Sequence, residues 1–476
     1  MPAGVDRLQP CKSDAGPTDA YCGKVEVWED REAKSGRKIS LKVVVYPALR
    51  RDDQAAPLFY LAGGPGMGAA KSARPLREVM RSIQTDRDLV FVDQRGTGDS
   101  NLLSCKPAED PKLEDDPDAV LPLLRKCLDS YSEKADVRFY TTPIAMDDLD
   151  EVREFLGYPQ ISIYGGSYGT RAAIVYARRH RDRVKAVVLD GVAPTDMRLG
   201  LFMPRDSQRA LELLARDCEQ DPACVKRFPG LAARLDKVLA ALEAKRVLAS
   251  MPHPRSGEVT EIPIRRGAIA NALFSSLYDA GTASLIPLLI ERAEKGDYSG
   301  ILALTARFEG LADSMAPGMH YSVVCSEDAP RMSVDEIKKE AAGKFLGAES
   351  SLFRLKVCDF WPKGKVDASY YDGEAVDVPA LILSGELDPV TPPSWGSQVA
   401  GQWKNSKHIV VPGVGHGTVG SGCVMRLMKQ FLKESSAANL KTECVQVIKR
   451  SPFFLGPAGP DPMGAPQAGA KPGEQP

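Results

Sequence analysis

The sequence predicts an α/β protein whose mostly parallel central sheet is flanked by helices and interrupted by a large, mainly helical insertion. Short continuous apolar runs, which are typical of strands buried on both faces, alternate with stretches of helical periodicity. These runs lie at 56–62, 88–93, 161–166, 185–190, 378–385 and 408–411. From about 199 to about 377 the alternation gives way to helical periodicity. We therefore expect a helical block inserted between the fourth and fifth parallel strands.

Local signals support the individual elements. The stretches 24–31 and 38–49 flank a Ser-Gly turn and predict a hairpin. In the stretch 141–158 apolar residues recur on one face, which predicts a helix. Thr142 can cap the N-terminus of this helix. Within the insertion, helical periodicity is clearest at 207–217, 231–245 and 286–295.

These patterns divide the chain into a core and a cap. We predict a first core part over 1–198, a helical cap domain over 199–377 and a second core part over 378–455. A Pro- and Gly-rich segment at 456–476 predicts a flexible tail. A block inserted at this point would cover the ends of the strands, where ligands bind in open α/β sheets.

Composition excludes several classes of partner. The 476 residues include 62 basic and 63 acidic side chains, so the formal net charge is −1. This balance gives no electrostatic footprint for nucleic acid. No apolar run approaches the length of about 20 residues that spans a bilayer, so we expect no membrane span. The oligomeric state cannot be predicted.

The ten cysteines indicate an exported protein. There is no C-x-x-C pair and only five histidines are present, which argues against a zinc site. An even cysteine count that falls into sequence-neighbouring pairs indicates disulfides, and these persist in secreted or periplasmic proteins. Neighbour pairing is the simplest of many connectivities, and ten reduced thiols are the alternative. The N-terminus lacks the apolar region of a signal peptide. If the protein is exported, we expect that its signal peptide is not included in this sequence.

Ser167 is the candidate nucleophile. It lies in the G-x-S-x-G pattern at 165–169, after a strand-like run and before a helical stretch at 171–179. This strand–turn–helix context is that of a nucleophile elbow, in which a strained turn lifts the serine hydroxyl clear of the sheet. Gly165 and Gly169 allow the strand and the helix to approach closely. The pattern alone is weak, so the remaining catalytic groups must be present as well.

A serine nucleophile needs a base, and here the expected chain order is serine, acid, histidine. We predict His416 as the base, because it follows the last strand in a Gly-rich loop at 412–417. The other histidines are placed on a helix, in the insertion or on a strand: His180, His253, His320 and His408.

The acid should follow the preceding strand. Glu386 and Asp388 both lie after the apolar run 378–385. We predict Asp388, which is further into the loop and can accept the imidazole Nδ1–H. Glu386 is the alternative.

The oxyanion of an acyl-transfer intermediate needs two backbone N–H donors. One is expected from Tyr168, the residue after the nucleophile. The other should come from the loop at 63–66, whose sequence is Gly-Gly-Pro-Gly. Since Pro65 has no N–H, we predict Gly64 as the second donor. This chemistry needs neither a metal nor an organic cofactor.

Three motifs carry a family resemblance. The segments 63–66, 93–98 and 165–169 resemble those of the prolyl iminopeptidase group of α/β-hydrolases. The segments around Cys358 and Asp388, with the Cys423/Cys444 pair, resemble the C-terminal region of secreted tripeptidyl aminopeptidases. The resemblance implies an α/β-hydrolase fold with a cap. Ala62 stands where prolyl iminopeptidases usually have histidine, which favours the larger, secreted branch.

The resemblance implies exopeptidase action on peptides with a free N-terminus. A buried substrate ammonium needs a carboxylate partner, since an unpaired buried charge is costly. We predict Glu327 and Asp328 in the cap for this role, and a solvated acidic loop is the alternative. We expect Arg95 and Asp99 to brace the loop below the site.

Two other functions remain open at this point. A carboxylesterase or lipid-ester hydrolase would use the same triad, because the triad does not distinguish ester from amide. A non-catalytic binding protein with a hydrolase fold belongs to another class, but such proteins typically lack a triad member. We expect an enzyme that cleaves peptide bonds near a free N-terminus, of prolyl or tripeptidyl aminopeptidase type.

Overall fold

A computed structural model describes residues 4–13, 16–105, 117–244, 247–252, 258–304, 315–373 and 376–460. The predicted tail therefore lies outside the described residues from 461 onward. Among the described residues, no helix combines the length and the apolar character that crossing a membrane would require.

The described residues form two sheets. Their strands, in chain order, are β1 (Gln9–Ser13), β2 (Gly16–Trp28), β3 (Lys38–Tyr46), β4 (Leu58–Leu61), β5 (Leu89–Val92), β6 (Ile161–Gly166), β7 (Val184–Asp190), β8 (Val247–Pro252), β9 (Val259–Ile264), β10 (Ala380–Gly385) and β11 (Ser406–Val411). The larger sheet has nine strands in the order β1-β2-β3-β5-β4-β6-β7-β10-β11. All neighbours from β5 to β11 are parallel, whereas β1, β2 and β3 form an antiparallel edge. The mostly parallel sheet and the β2–β3 hairpin are confirmed.

Helices lie on both faces of the large sheet and make up most of the insertion. They are α1 (Ala69–Val79), α2 (Arg81–Gln84), α3 (Leu121–Tyr131), α4 (Thr142–Phe155), α5 (Tyr168–Arg179), α6 (Met203–Gln220), α7 (Pro222–Arg227), α8 (Leu231–Ala244), α9 (Arg266–Ser276), α10 (Ala280–Ala283), α11 (Ile286–Glu294), α12 (Pro317–Val323), α13 (Val334–Ala341), α14 (Glu349–Phe360), α15 (Pro393–Gln402) and α16 (Val424–Glu434). Along β4, Phe59 and Leu61 pack with α4, α5 and α15 on one face. Leu58 packs with α1 and α16 on the other. This alternation is the period of two that places successive side chains on opposite faces.

The insertion between β7 and β10 is mainly helical, as expected. Helices α6, α8, α9 and α11 share an apolar cluster of their own. The insertion also contains the antiparallel β8–β9 hairpin, which periodicity did not predict. Its later part, 316–361, packs instead with 103–140 in a separate cluster. The insertion therefore contacts the first part of the chain through a buried apolar surface, and its division as a domain stays a prediction.

The N-terminus of α4 differs from the expectation. Thr142 does not cap the helix. Thr141 holds the N-cap position and makes no side-chain capping bond. The backbone N–H of Thr142 instead donates to Glu327 Oε1 at 2.6 Å, so a carboxylate from the insertion satisfies this helix end. A negative charge is favourable there because of the helix dipole.

All ten cysteines form disulfides. The pairs are Cys11–Cys22, Cys105–Cys127, Cys218–Cys224, Cys325–Cys358 and Cys423–Cys444. Neighbour pairing, the simplest of the connectivities considered, is confirmed. Five disulfides are consistent with an extracellular or periplasmic protein.

Close approach of β6 and α5 depends on two glycines. A Cβ at Gly165 would meet the backbone of Gly169, and a Cβ at Gly169 would meet the carbonyl of Leu61. Ala at either position would push the helix off the sheet. By contrast, a Cβ at Gly166 would meet no atom within 4 Å.

We expect Gly169→Ala to lower the free energy of unfolding by about 3 kcal/mol, because overpacking displaces a backbone that cannot relax. Gly166→Ala is the matched control and should change it by no more than about 0.5 kcal/mol. Chemical denaturation of both variants measures the difference. Equal losses in the two variants would contradict the steric argument.

Candidate active site

Ser167 lies at the turn between β6 and α5. Its backbone has φ 56° and ψ −127°, a region that residues with a side chain rarely occupy. The Ser167 N–H donates to the Asp190 carbonyl at 2.9 Å, which ties the strained turn to the end of β7. Helix α5 begins at Tyr168, three residues before its predicted start. A strained serine between a parallel strand and a helix has the geometry of a nucleophile elbow.

His416 and Asp388 meet beyond the ends of β10 and β11. His416 Nδ1 lies 2.7 Å from Asp388 Oδ2. Asp388 is fully buried. Its Oδ1 accepts the N–H groups of Val390 and Thr391 at 2.8 Å each, and Thr391 Oγ1 donates to Oδ2 at 2.8 Å. The carboxylate is therefore held in one orientation, with an oxygen on the imidazole.

The charges of this pair stabilise each other. Burial alone would raise the pKa of the Asp388 carboxyl, but His416 and the hydrogen bonds lower it below its ordinary value. Burial alone would lower the pKa of His416, but Asp388 outweighs it and the pKa is raised. An imidazole whose protonated form is stabilised in this way is a suitable proton acceptor.

Asp190 links Ser167 to the loop that carries His416, a role that the sequence analysis missed. Its carbonyl accepts from Ser167 N, and its carboxylate accepts from Thr418 N at 2.9 Å and from Val419 N at 3.3 Å. Burial raises the pKa of Asp190 against these hydrogen bonds. The sequence feature that could have indicated this role is the position of Asp190 at the carboxyl end of β7, the strand beside β6.

Glu386, the alternative acid, does not contact the imidazole. Its Oε2 accepts from Gly413 N at 3.0 Å and so anchors the start of the histidine loop. The other histidines in the described residues have different partners. His180 faces Asp147, and His408 faces Ser384. His253 lies outside the described residues.

The predicted oxyanion loop lies against the nucleophile. A Cβ at Gly63 would lie 3.0 Å from Ser167 Cβ, so the backbone of this loop approaches the serine directly. The insertion holds the loop from the other side, where Ala316 N donates to Gly66 O at 2.9 Å. His320 Nδ1 lies 3.2 Å from Pro65 O. Burial lowers the pKa of His320 to about 4, so a neutral imidazole donates this bond at neutral pH.

The environment of Glu327 and Asp328 differs from both sequence-based expectations, a substrate ammonium anchor and a solvated acidic loop. Both side chains are fully buried, so they do not form a solvated acidic loop. Glu327 accepts from Thr142 N, Thr142 Oγ1 and Tyr370 Oη. Asp328 accepts two bonds of 3.1 Å from Arg171 Nη1. With their oxygens engaged inside the protein, the predicted role as a substrate ammonium anchor does not fit this geometry.

Arg95 is a buried structural residue, and the expected brace of the loop below the site stays a prediction. Its guanidinium is fully buried and forms two bonds to Asp148, of 2.6 and 2.8 Å. Asp99 contributes a backbone N–H to Asp93 Oδ2 at 2.9 Å. Among the described residues there is no group of three or more His, Cys, Asp or Glu that could hold a metal ion.

A cavity of about 340 Å³ borders the histidine loop. It is lined by 278–281, 413–417 and residues near 421 and 449. Ser167 and the 63–66 loop are not among its lining residues, so this cavity is not assigned to the reacting part of the substrate. The Tyr278 ring on its wall lies 5.1 Å from that of His416, and Tyr278 O accepts from His416 N at 2.8 Å.

Sheet order, elbow and buried Asp–His pair define the class: the chain is a serine hydrolase with the α/β-hydrolase fold. The family described as "alpha/beta hydrolase fold" matches residues 56–251, and the family described as "TAP-like protein" matches 344–444. The two matches lie on either side of most of the insertion.

Curated relatives agree with this class. The chain is similar to serine protease Hip1 of Mycobacterium tuberculosis, with 24% identity over 89% of this chain and 88% of the relative. It is also similar to tripeptidyl aminopeptidase of Streptomyces lividans, with 32% identity over 40% of this chain and 38% of the relative. A solved proline iminopeptidase from Mycobacterium smegmatis has 16% identity over 87% of this chain and 98% of its own, with a TM-score of 0.38. The chain has the α/β-hydrolase fold, and the curated relatives to which it is similar are named as serine peptidases.

We expect Asp388→Asn to lower kcat by about 10⁴-fold, since the imidazole loses the partner that orients it. The imidazole must be neutral to accept a proton, so kcat/KM should rise with pH through the pKa of His416. Asp388 raises that pKa, and its loss should therefore move the acid limb of the pH profile to lower pH.

Glu386→Gln is the control for this variant, because Glu386 contacts the same loop without touching the imidazole. It should leave the position of the acid limb unchanged. A pH profile that moves equally in both variants would refute the assignment of Asp388.

We expect Glu327→Gln to affect peptide and ester substrates alike, because Glu327 supports the fold near Tyr168 and does not reach a substrate amine. Thermal unfolding should show a lower Tm, since the buried network loses a charge. Kinetics on a peptidyl arylamide and on a short acyl ester test this. A KM increase confined to the peptide would restore the ammonium-anchor role.

Proposed function

We propose that the protein is a serine exopeptidase that hydrolyses peptide bonds near a free N-terminus, of prolyl or tripeptidyl aminopeptidase type. The observation that carries this is the 2.7 Å contact of His416 Nδ1 with buried Asp388, on the sheet that presents Ser167 at a strained elbow. The peptidase names of the relatives support peptides as the substrate class.

The reaction is an acyl transfer through a Ser167–His416–Asp388 triad. Ser167 Oγ attacks the scissile carbonyl while His416 accepts its proton through Nε2. Asp388 keeps the other ring nitrogen, Nδ1, protonated and stabilises the imidazolium that forms. His416 then protonates the leaving amine, and water releases the acyl group from the serine in a second cycle of the same steps.

The tetrahedral intermediate places a negative charge between α5 and the 63–66 loop. We assign the N–H groups of Tyr168 and Gly64 as its two donors. The approach of Gly63 to Ser167 supports this assignment, because it brings the loop backbone to the nucleophile. Bonds from Ala316 and His320 hold the loop in place, so the donors need little reorganisation during the reaction.

An ester hydrolase is the second candidate function, and one structural observation supports it. Glu327 and Asp328 are engaged with Thr142, Tyr370 and Arg171, so they leave a substrate ammonium without the partner that we expected. A carboxylesterase needs no such partner. The triad itself serves both reactions.

We also propose that the protein acts outside the cytoplasm. The five disulfides support this, because such bonds form and persist in an oxidising compartment.

We expect Ser167→Ala to lower kcat on every hydrolysed substrate by about 10⁴-fold or more. A panel of aminoacyl and peptidyl arylamides beside short acyl esters gives the substrate class. Arylamides with a free N-terminus should be cleaved, and acetylation of that N-terminus should abolish cleavage.

Mass spectrometry of products from a mixed peptide library then gives the number of residues released. Near-normal turnover by Ser167→Ala would refute the mechanism. Turnover of esters alone by the unmodified protein would favour the second candidate.

A further inference from the structure

Arg354 has a guanidinium group that lacks a counter-ion among the residues that the structure describes. It lies on α14, and its Nη1 is buried without a hydrogen-bond partner. Nη1 packs against Gly200, where a Cβ would lie 3.0 Å away. Within the part of the chain that the structure describes, no carboxylate forms an ion pair with it. The side chain as a whole is partly exposed, so the rest of the guanidinium is open to a ligand, and a carboxylate there would compensate the poorly solvated charge.

The nearby carboxylate is already neutralised by other groups. Asp328 is one of the charges that act on Arg354, but Arg171 Nη1 pairs with it at 3.1 Å. Arg331 Nη2 is a further partner of Asp328, at 3.6 Å. Arg354 therefore remains an excess positive charge in this region. Burial lowers its pKa, as expected for a cation without a partner.

Helix α14 packs beside the catalytic groups, because Phe353 and Leu355, on either side of Arg354, join the apolar cluster that contains Tyr168 and Met319. Burial raises the pKa of Tyr278, and the positive charge of Arg354 acts to lower it. The ring of Tyr278 contacts the ring of His416. The charge of Arg354 also acts on His320, which contacts Pro65 of the oxyanion loop, and adds to the effect of burial in lowering the pKa of His320. The guanidinium thus lies near both the histidine loop and the oxyanion loop.

The arginine is held on a rigid support. Helix α14 is tied by the Cys325–Cys358 disulfide, and Ser351 Oγ on the same helix donates to Gly200 O at 2.7 Å. A planar guanidinium offers a pair of parallel N–H donors that match a carboxylate.

We propose that Arg354 binds a carboxylate of the substrate, so that the active site selects short peptides with an acidic group close to the scissile bond. This rests on the proposed peptidase function. The carboxylate can come from an acidic side chain on the acyl side or from the C-terminus of a short leaving peptide. Both sources present the same group to the guanidinium.

Two matched substrate pairs distinguish these sources. One pair differs by Glu or Gln at the residue before the scissile bond, and the other by a free or amidated C-terminus in a short peptide. In at least one pair, the unmodified protein should have a KM about ten- to a hundredfold lower for the carboxylate member. Arg354→Met should abolish that ratio while the KM for the neutral member changes little.

Arg292→Met is the matched control, because Arg292 is a half-exposed arginine of α11 paired with Asp297. It should retain the full ratio. Arg354→Gln gives a second test if the Met variant does not fold, and both should keep the Tm of the unmodified protein, since Nη1 has no partner to lose. No ratio in either pair, or a ratio retained in the Arg354 variants, would overturn the proposal.

A separate experiment distinguishes failure of the proposed peptidase function from failure of the carboxylate site. If no peptide is cleaved, the same comparison is made with 4-nitrophenyl hemisuccinate and 4-nitrophenyl butyrate. A preference for the hemisuccinate that depends on Arg354 would uphold the carboxylate site without the peptidase. Equal turnover of both esters would overturn it.

Discussion

The buried ion cluster of Arg171, Glu327 and Asp328 joins two parts of the chain that must meet for the site to exist. All three side chains are fully buried. Arg171 lies on α5, directly behind the elbow, and the two acids lie in the helical turn Val324–Asp328 that follows α12. Because removing one member of a buried ion pair leaves an uncompensated charge, such a cluster costs about 3–5 kcal/mol to break.

The cluster also organises what surrounds it. Glu327 satisfies the first turn of α4, and its Oε2 accepts from Thr142 Oγ1, which in turn lies 2.6 Å from Tyr168 Oη. Burial raises the pKa of Glu327 above its ordinary value, although the positive charge of Arg171 acts to lower it. The residue that follows the nucleophile is thereby connected to the insertion through two hydrogen bonds. The two acids thereby support the position of α5.

Sequence patterns were sufficient for the parallel part of the sheet and for the order of the candidate catalytic residues, but not for the edge strand β1. Strands buried on both faces have continuous apolar runs, and Ser167, Asp388 and His416 each follow one of them, so local motifs identify them. The role of Glu327 could not be predicted in this way, because Thr142 and Arg171 lie far from it in the sequence. Asp190 was missed for a related reason: its importance comes from Thr418, which a parallel strand order brings beside it. The β8–β9 hairpin was missed because its short strands lie between strongly helical stretches.

The contacts between the insertion and the two catalytic loops have a consequence for how such enzymes can be altered. Tyr278 holds His416 through its backbone, while Ala316 and His320 hold the 63–66 loop. The insertion is therefore part of the frame of the catalytic apparatus and is more than a removable cover. Exchanging it whole for a relative's insertion would replace the substrate-facing surface and the supports of both loops together. Specificity is better redesigned through single side chains that leave those three backbone and imidazole contacts intact.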